Sequence, residues 1–565
     1  MRTAWLVSAL QLVACRPAPP ALDPTGPPAD ETDTHADTDT LPTGLDTGVP
    51  PVETDNPAGM FDTAGPGCAG DPGDTGLLVG LPVPEVACPY TVVPRGVPGV
   101  SVVAADIAMA RVFGDVNRVL GIDMHALGDL DADGYGEIAI GGSGYTGWYE
   151  EDTIFGEVWI LHGPLAGDLH REDARSILTT LDVEDRSGQY LAVGSITGPG
   201  TTDLVIDGLG YMDIYVVPLP TVAGVVSIEA AAAASIVVPG GFTLDHPSIG
   251  DADGDGQLDL GLSGRSDKLA KTGGVSVFSG PISGVIADAD AASWGTWQAM
   301  SLDDDDEVFT GQISGRETRA FIPDLDGDGD SEILMGGDRL ADIAPGSADG
   351  ETHGGFVLFP GGTGGAHDAG DATAILYGEC GARFGYYLDR VGDVTGDCRP
   401  DVTAGAAKFA FPGEAARGAV LVLSELHRAE GDVPISAVAG AVIVGEEIGD
   451  QMASAGYIGD LNRDGFDDLL VGSWTGGVGN NGAAYLFLGP VQGVLSAGDA
   501  DLAIYGSGDD EVFGAKLRSA RDLDGDGIAD LLISAYSTDL HGFDSNSGLV
   551  YVFSGADLLG LLPTR

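Results

Sequence analysis

Positive charge is scarce in this chain of 565 residues: 25 Lys and Arg stand against 87 Asp and Glu, a formal net charge of −62. Nucleic acid needs a footprint of Lys and Arg for its phosphates, so this balance excludes it as a partner, and it excludes charge-driven adhesion to anionic lipid as well. Recognised catalytic motifs are missing: the chain has no H-E-x-x-H, no G-x-S-x-G and no P-loop, and its nine His are scattered. No residue is therefore assigned a catalytic role. Beyond the N-terminus no apolar run approaches a membrane span, since Ala230 to Ala234 is too short and follows Glu229.

What the chain has is acid, in one repeated arrangement. Asp129, Asp131, Asp133, Gly134 and Glu137 spell D-x-D-x-D-G-x-x-E. Near copies are Asp251, Asp253, Asp255 and Asp259; Asp324, Asp326, Asp328 and Glu332; Asp460, Asn462, Asp464 and Asp468; and Asp522, Asp524, Asp526 and Asp530. Two weaker copies fill the gaps. Ser195, Thr197 and Pro199 lead to Asp203, and Asp393, Thr395, Asp397 and Cys398 lead to Asp401. The seven starts lie about 56 to 73 residues apart, enough for four short strands with loops.

Carboxylates at alternate positions of a tight loop converge on one point, where their repulsion is bearable with a hard cation among them. Positions one, three and five supply carboxylate oxygens, the seventh a backbone carbonyl, and the ninth a chelating acid, which meets calcium's demand for six to eight oxygens. Magnesium wants a tighter octahedron and keeps its water, and zinc wants His or Cys, which the loops lack apart from Cys398. Five loops read as strong calcium sites. The loop with Asp393, Asp397 and Asp401 reads as a sixth with an incomplete set, and the Ser195 loop as poor in ligands. Asp-Gly loops also make ordinary hairpin turns without metal, and that alternative weakens as copies accumulate.

Short apolar runs follow the loops, as in Glu137-Ile-Ala-Ile-Gly141 and Asp530-Leu-Leu-Ile533, and read as buried strands. An EF-hand would continue as a helix and place its chelating acid at position twelve, not nine. Phe113-Gly114, Phe384-Gly385 and Phe513-Gly514 precede acidic loops, and small-residue patches such as Ala404-Gly-Ala-Ala407 follow them. On these residues the chain resembles FG-GAP repeat proteins of the integrin-alpha type over roughly residues 89–565. The resemblance implies an all-β, seven-bladed β-propeller with four-stranded antiparallel blades, calcium held in the loops between first and second strands, and a role in adhesion or recognition. The segment Val100 to Met109 is expected to supply the fourth strand of the last blade and close the ring, leaving fewer exposed edges.

Residues 1–15 read as a signal peptide ending in a lipobox, Leu12-Val13-Ala14-Cys15, with Cys15 the lipidated residue; an ordinary secretory signal is the alternative. Arg16 after the cysteine favours an outer-membrane or surface location. Residues 16–88 are rich in Pro, Asp and Thr and read as a disordered linker. Cys68 with Cys88 and Cys380 with Cys398 form an even set able to pair in an oxidising compartment. For the second pair, two buried free thiols are the competing reading.

Loops at the end of each blade away from the acids carry aromatic residues, among them Trp148, Tyr149, Phe409, Phe411, Trp474 and Tyr536. Each of them either packs between blades or meets a protein or glycan ligand, and Trp148, Tyr149, Trp474 and Tyr536 are the candidates for the ligand. Trp294 and Trp297 are expected in a loop before an outer strand. The functional expectation is an exported, calcium-stabilised binding module at the cell surface. An enzyme acting on extracellular polysaccharide or phosphoester, and a structural matrix component, are the alternatives.

Overall fold

The computed structural model describes residues 78–79 and 99–563 apart from 116–117, 144–155, 181–186, 209–212, 222, 238–241, 267–272, 288–292, 298–323, 326–328, 338–353, 363–364, 368–370, 379–381, 383, 386, 412–413, 478–480, 509–510 and 539–546. Strands dominate, gathered in seven sheets. The fold is a seven-bladed β-propeller.

Blade I shows the pattern. Leu120–Gly128, Glu137–Gly142, Glu157–His162 and Ser176–Thr179 pair antiparallel in sequence order, with the acidic loop joining the first two. No helix follows that loop. The second strand is buried along its whole length, as are its counterparts Asp401–Ala406 in blade V and Asp530–Ala535 in blade VII. Both faces of each sheet are covered by neighbouring blades, which is why these strands read as continuous apolar or small-residue runs.

Each sheet also gains a strand from the next repeat that the sequence did not announce. Between the third and fourth strands of a blade the chain reaches back and lays a short segment parallel to the fourth strand of the preceding blade. Gly224–Ser227 does so on blade I, Gly284–Ala287 on blade II, and Gly493–Ser496 on blade V. A single helical turn such as Ile228–Ala231 or Ala497–Asp499 then leads into the blade's own outer strand.

Ring closure follows this plan and corrects the expected register. Ala110–Phe113 is the fourth strand of blade VII, antiparallel to Leu549–Phe553. Val100–Val103 is instead the reaching-back strand, parallel to Leu502–Tyr505 of blade VI. The N-terminal side thus completes two blades.

The Phe-Gly assignment in the first repeat also changes. Gly354 bridges to Phe384 and Gly482 to Phe513, each nine residues before its loop. In blade I the residue at that spacing is Leu120: a Cβ on Gly548 would meet the Leu120 nitrogen at 2.4 Å, as one on Gly482 would meet the Phe513 nitrogen at 2.5 Å. Phe113 is an outer-strand residue. Leu120, Phe384, Met452 and Phe513 each plug the core of the preceding blade, Phe513 among Leu470, Ala484 and Leu486. Burial of this kind contributes about 1.5–3 kcal/mol per large side chain.

The aromatics divide between the two readings, and one placement is overturned. Phe409 and Phe411 are buried, edge to face at 5.5 Å, in the core shared by blades IV and V. Trp294 and Trp297 lie within the outer strand Ser293–Trp297 of blade III rather than before it. Leu78–Val79, inside the expected linker, pairs parallel with Ala429–Glu430. The rest of residues 1–88, with Cys15, Cys68 and Cys88, lies outside the described residues. Cys398 is disulfide-bonded; Cys380 is not among the described residues. No helix among those described is long and apolar enough to cross a membrane.

Candidate metal centres

The acidic loops fold around their own first residue. In blade VII, Asp522 Oδ1 accepts the N–H groups of Gly525 and Asp526 at 2.6 and 3.1 Å, and Oδ2 accepts that of Gly527 at 2.7 Å. Asp129, Asp251, Asp393 and Asp460 repeat the cradle, and Asp324 retains its bond from Gly329 at 2.9 Å. The fifth residue adds a turn, as in Asp255 accepting from Gln257 at 2.8 Å. Position six needs a left-handed backbone, which Gly527 adopts with φ of 82° and, in blade V, Cys398 with φ of 71°.

The closing acid is a staple. Its carboxylate reaches back to the N–H of loop position two: Asp259 to Ala252 at 2.9 Å, Glu332 to Leu325 at 2.6 Å, Asp468 to Leu461 at 2.9 Å and Asp530 to Leu523 at 2.7 Å. In three blades the second oxygen takes another backbone N–H from the third-strand end, from Gly280, Gly489 and Gly555. Neighbouring loops are stitched together too. Gly136 donates to the Asp522 carbonyl at 2.9 Å, and Ser331 to that of Asp251 at 2.7 Å.

Backbone thus holds the carboxylates in mutual repulsion. Ligand oxygens of Asp129, Asp131, Asp133 and Glu137 all lie within 4.8 Å of one another, as do those of Asp251, Asp253 and Asp255, and those of Asp522, Asp524 and Asp530. Burial pushes Glu137, Asp468 and Asp530 up to about 7 and Asp259 to about 6, with neighbouring acids adding to the shift. Blade VI substitutes Asn462, whose Nδ2 donates to Asp464 at 2.9 Å. In blade IV, Asp324 and Glu332 are in place, while Asp326 and Asp328 lie outside the described residues.

Two loops differ in kind. In blade II the hydroxyls of Thr197 and Thr201 donate to Asp203 at 2.8 and 2.7 Å, and the N–H groups of Ile196 and Thr197 add bonds at 2.9 and 2.7 Å. The hairpin satisfies its closing acid with hydroxyls. Blade V is intermediate: Thr395 bonds Asp401 through its N–H at 2.9 Å and its hydroxyl at 3.2 Å, while Asp393 and Asp397 remain. Burial pushes Asp397 to about 6 and Asp401 well above the usual carboxylate range.

At the axis stand charges that sequence reasoning missed. Arg518 of blade VII spans to Asp389 of blade V at 2.8 Å and to Asp123 of blade I at 3.6 Å. Burial pushes the Asp123 carboxyl up, yet His125, Lys516 and Arg518 together hold it below its usual range. All lie on or beside innermost strands, where a charged residue inside an otherwise apolar run was the available signal.

Of the aromatic candidates, Trp474 is half-buried against Tyr387 of blade V, ring centroids 5.1 Å apart, and Tyr536 is half-buried. Trp148 and Tyr149 lie outside the described residues.

The FG-GAP repeat family matches residues 513–553, which run from the plug Phe513 through the loop to the third strand of blade VII. The chain is 38% identical over 96 residues to integrin alpha-5 of Xenopus laevis, covering 17% of this chain and 9% of that protein. It is 27% identical over 226 residues to integrin alpha pat-2 of Caenorhabditis elegans, covering 38% and 17%. It is also 31% identical over 159 residues to phosphatidylinositol-glycan-specific phospholipase D of Rattus norvegicus, covering 27% and 18%. The chain therefore spans less than a fifth of the length of these relatives. Together with the seven radial sheets, these similarities support the FG-GAP repeat family, with integrin-alpha-like sequence, for this chain.

Proposed function

We propose that the chain is an exported, non-catalytic binding or adhesion module whose propeller is stiffened by calcium at one end and presents a ligand surface at the other. The integrin-alpha-like sequence on a closed seven-bladed ring carries this reading. Fold alone does not fix a ligand; a protein partner is favoured because the similarity is to integrin alpha chains. The short match to a phospholipase D covers 18% of that protein and leaves its activity there.

The donor sets fit calcium: all-oxygen, carboxylate-rich and preformed by backbone hydrogen bonds. Asp129, Asp131, Asp133 and Glu137, Asp251, Asp253, Asp255 and Asp259, Asp460, Asn462, Asp464 and Asp468, and Asp522, Asp524, Asp526 and Asp530 would hold ions, as would Asp324, Asp326, Asp328 and Glu332. Asp393, Asp397 and Asp401 would form a weaker sixth site. Bound calcium supplies the positive charge that offsets each cluster. Hairpins between second and third strands emerge at the opposite end of each blade, and Trp148, Tyr149, Trp474 and Tyr536 are the residues proposed to meet the ligand there. Cys15 is proposed as a lipid anchor.

The test is a binding screen of the full chain against surface proteins and glycans, with calcium and with chelator. Specific calcium-dependent retention of a protein supports the proposal. Turnover of a polysaccharide or phosphoester would replace it with an enzyme, and silence with a structural role. Export and anchoring are read from the lipid content of a Cys15→Ser variant in membrane fractions.

A further inference from the structure

We propose that the loop of blade I is a mixed oxygen and nitrogen site that takes a zinc-class transition ion through Asp131, Glu137 and His162, where the other loops take calcium. The inference rests on the reading of the acidic loops as divalent-ion sites and makes one of them chemically distinct.

His162 ends the third strand of blade I and pairs across the ladder with the closing acid Glu137. By the same register the residue opposite the closing acid is Pro218 in blade II, Ser279 in blade III, Pro360 in blade IV, Ser424 in blade V, Leu488 in blade VI and Ser554 in blade VII. A nitrogen donor stands at this register in blade I alone. Its Nδ1 lies 3.2 Å from Glu137 Oε1 and 3.3 Å from Asp131 Oδ2. One donor atom from each of the three residues falls within a 4.8 Å group. Calcium draws on oxygen, whereas zinc binds imidazole nitrogen and carboxylate oxygen together.

A second observation points to a missing ligand. In blades III, VI and VII the closing acid is Asp, and its two oxygens each take a backbone N–H. Glu137 is one methylene longer. Its Oε2 accepts from Leu130, but the N–H of Gly163 turns instead to the Gly136 carbonyl at 3.1 Å. The nitrogen beside it, His162 Nδ1 at 3.2 Å, accepts from Arg175, so Oε1 is left fully buried without a hydrogen-bond donor, aimed at the cluster. A buried carboxylate oxygen without a donor is costly, and a metal is the partner this geometry admits.

Arg175 occupies the place of a cation here. Its Nη1 lies 2.5 Å from Asp131 Oδ2 and 3.2 Å from His162 Nδ1, and its side chain is 51% exposed, free to swing into solvent. Asp131 and Glu137 belong both to this triad and to the all-oxygen group with Asp129 and Asp133, so the transition ion and calcium compete for one loop.

The experiment titrates the metal-stripped full chain, resupplied with excess calcium, with Co2+ followed by visible absorption and with Zn2+ followed by calorimetry. One equivalent of each is expected against the calcium background. His162→Ser, which installs the blade III residue, should weaken that equivalent by about tenfold or more while leaving the calcium count of the other loops unchanged. Arg175→Gln should tighten it. Calcium uptake with no Co2+ or Zn2+ equivalent, or with one that His162→Ser leaves intact, overturns the proposal and spares the calcium reading. Failure to bind any divalent ion overturns both.

Discussion

A carbon added to Gly472 in the second strand of blade VI would stand 2.0 Å from the carbonyl oxygen of Gly514 in blade VII. Gly141 meets the carbonyl of Gly188 and Gly405 that of Ala453 at the same distance. In these three pairs of blades the small residue after the acidic loop and the small residue beside the next plug are therefore two halves of one contact, where backbones of adjacent blades touch. Gly472→Ala is expected to lower stability by about 1–3 kcal/mol in urea unfolding, since the neighbour is backbone and cannot turn aside. Gly560→Ala, in the helix Gly555–Leu561 with nothing within 4 Å, is expected to shift stability the other way by about 0.5–1 kcal/mol.

Stability should depend on pH in a way that calcium cancels. In the ion-free protein burial raises Glu137 from 4.5 to about 7 and Asp468 and Asp530 from 3.8 to about 7. The folded state thus holds protons that the unfolded chain has released. That contribution is complete below pH 4 and is lost as pH rises through 7. Thermal unfolding in chelator should accordingly fall in midpoint between about pH 4.5 and 7, and added calcium should lift the neutral end most. A midpoint at neutral pH indifferent to chelator would remove calcium from the account.

Blade II should ignore calcium. Thr197→Val removes a hydroxyl bond to the buried Asp203 and is expected to cost about 1–3 kcal/mol, equally with calcium and with chelator. Asp524→Asn in blade VII should behave differently. With calcium it removes a ligand and destabilises; in chelator it relieves the charge that helps raise Asp530, and stabilises.

Closure by the N-terminal side predicts that Val112→Asp, at a fully buried position of the outer strand of blade VII, lowers unfolding midpoints of the whole ring in one transition. Two separate transitions would show that the last blade opens alone.

The spacing of acids made the loops and the blade number legible, because carboxylates crowded at alternate positions, copy after copy, repel one another unless cations sit between them. Other elements hid for physical reasons. Gly224–Ser227 is a strand by its partner and not by its residues, being short and largely exposed, so no alternation marks it. Phe113-Gly114 imitates a plug where an outer strand ends, while the real plug, Leu120-Gly121, lacks the aromatic. Phe409 and Phe411 sit beside Gly and Pro that suggest a surface loop, yet they fold inward. His162 and Glu137 are 25 apart in number and meet through ladder register alone.

The parallel pairing of Val100–Val103 with Leu502–Tyr505 has a mechanical consequence. After the short pairing of Leu78–Val79 with Ala429–Glu430, the chain joins the seam where blades VI and VII are finished, so a pull that reaches Val100 from its N-terminal side runs along that ladder. Backbone hydrogen bonds there are loaded side by side, in shear, and must yield together instead of unzipping one after another. A tug that arrives at Val100 is thereby shared by two blades before any acidic hairpin feels it.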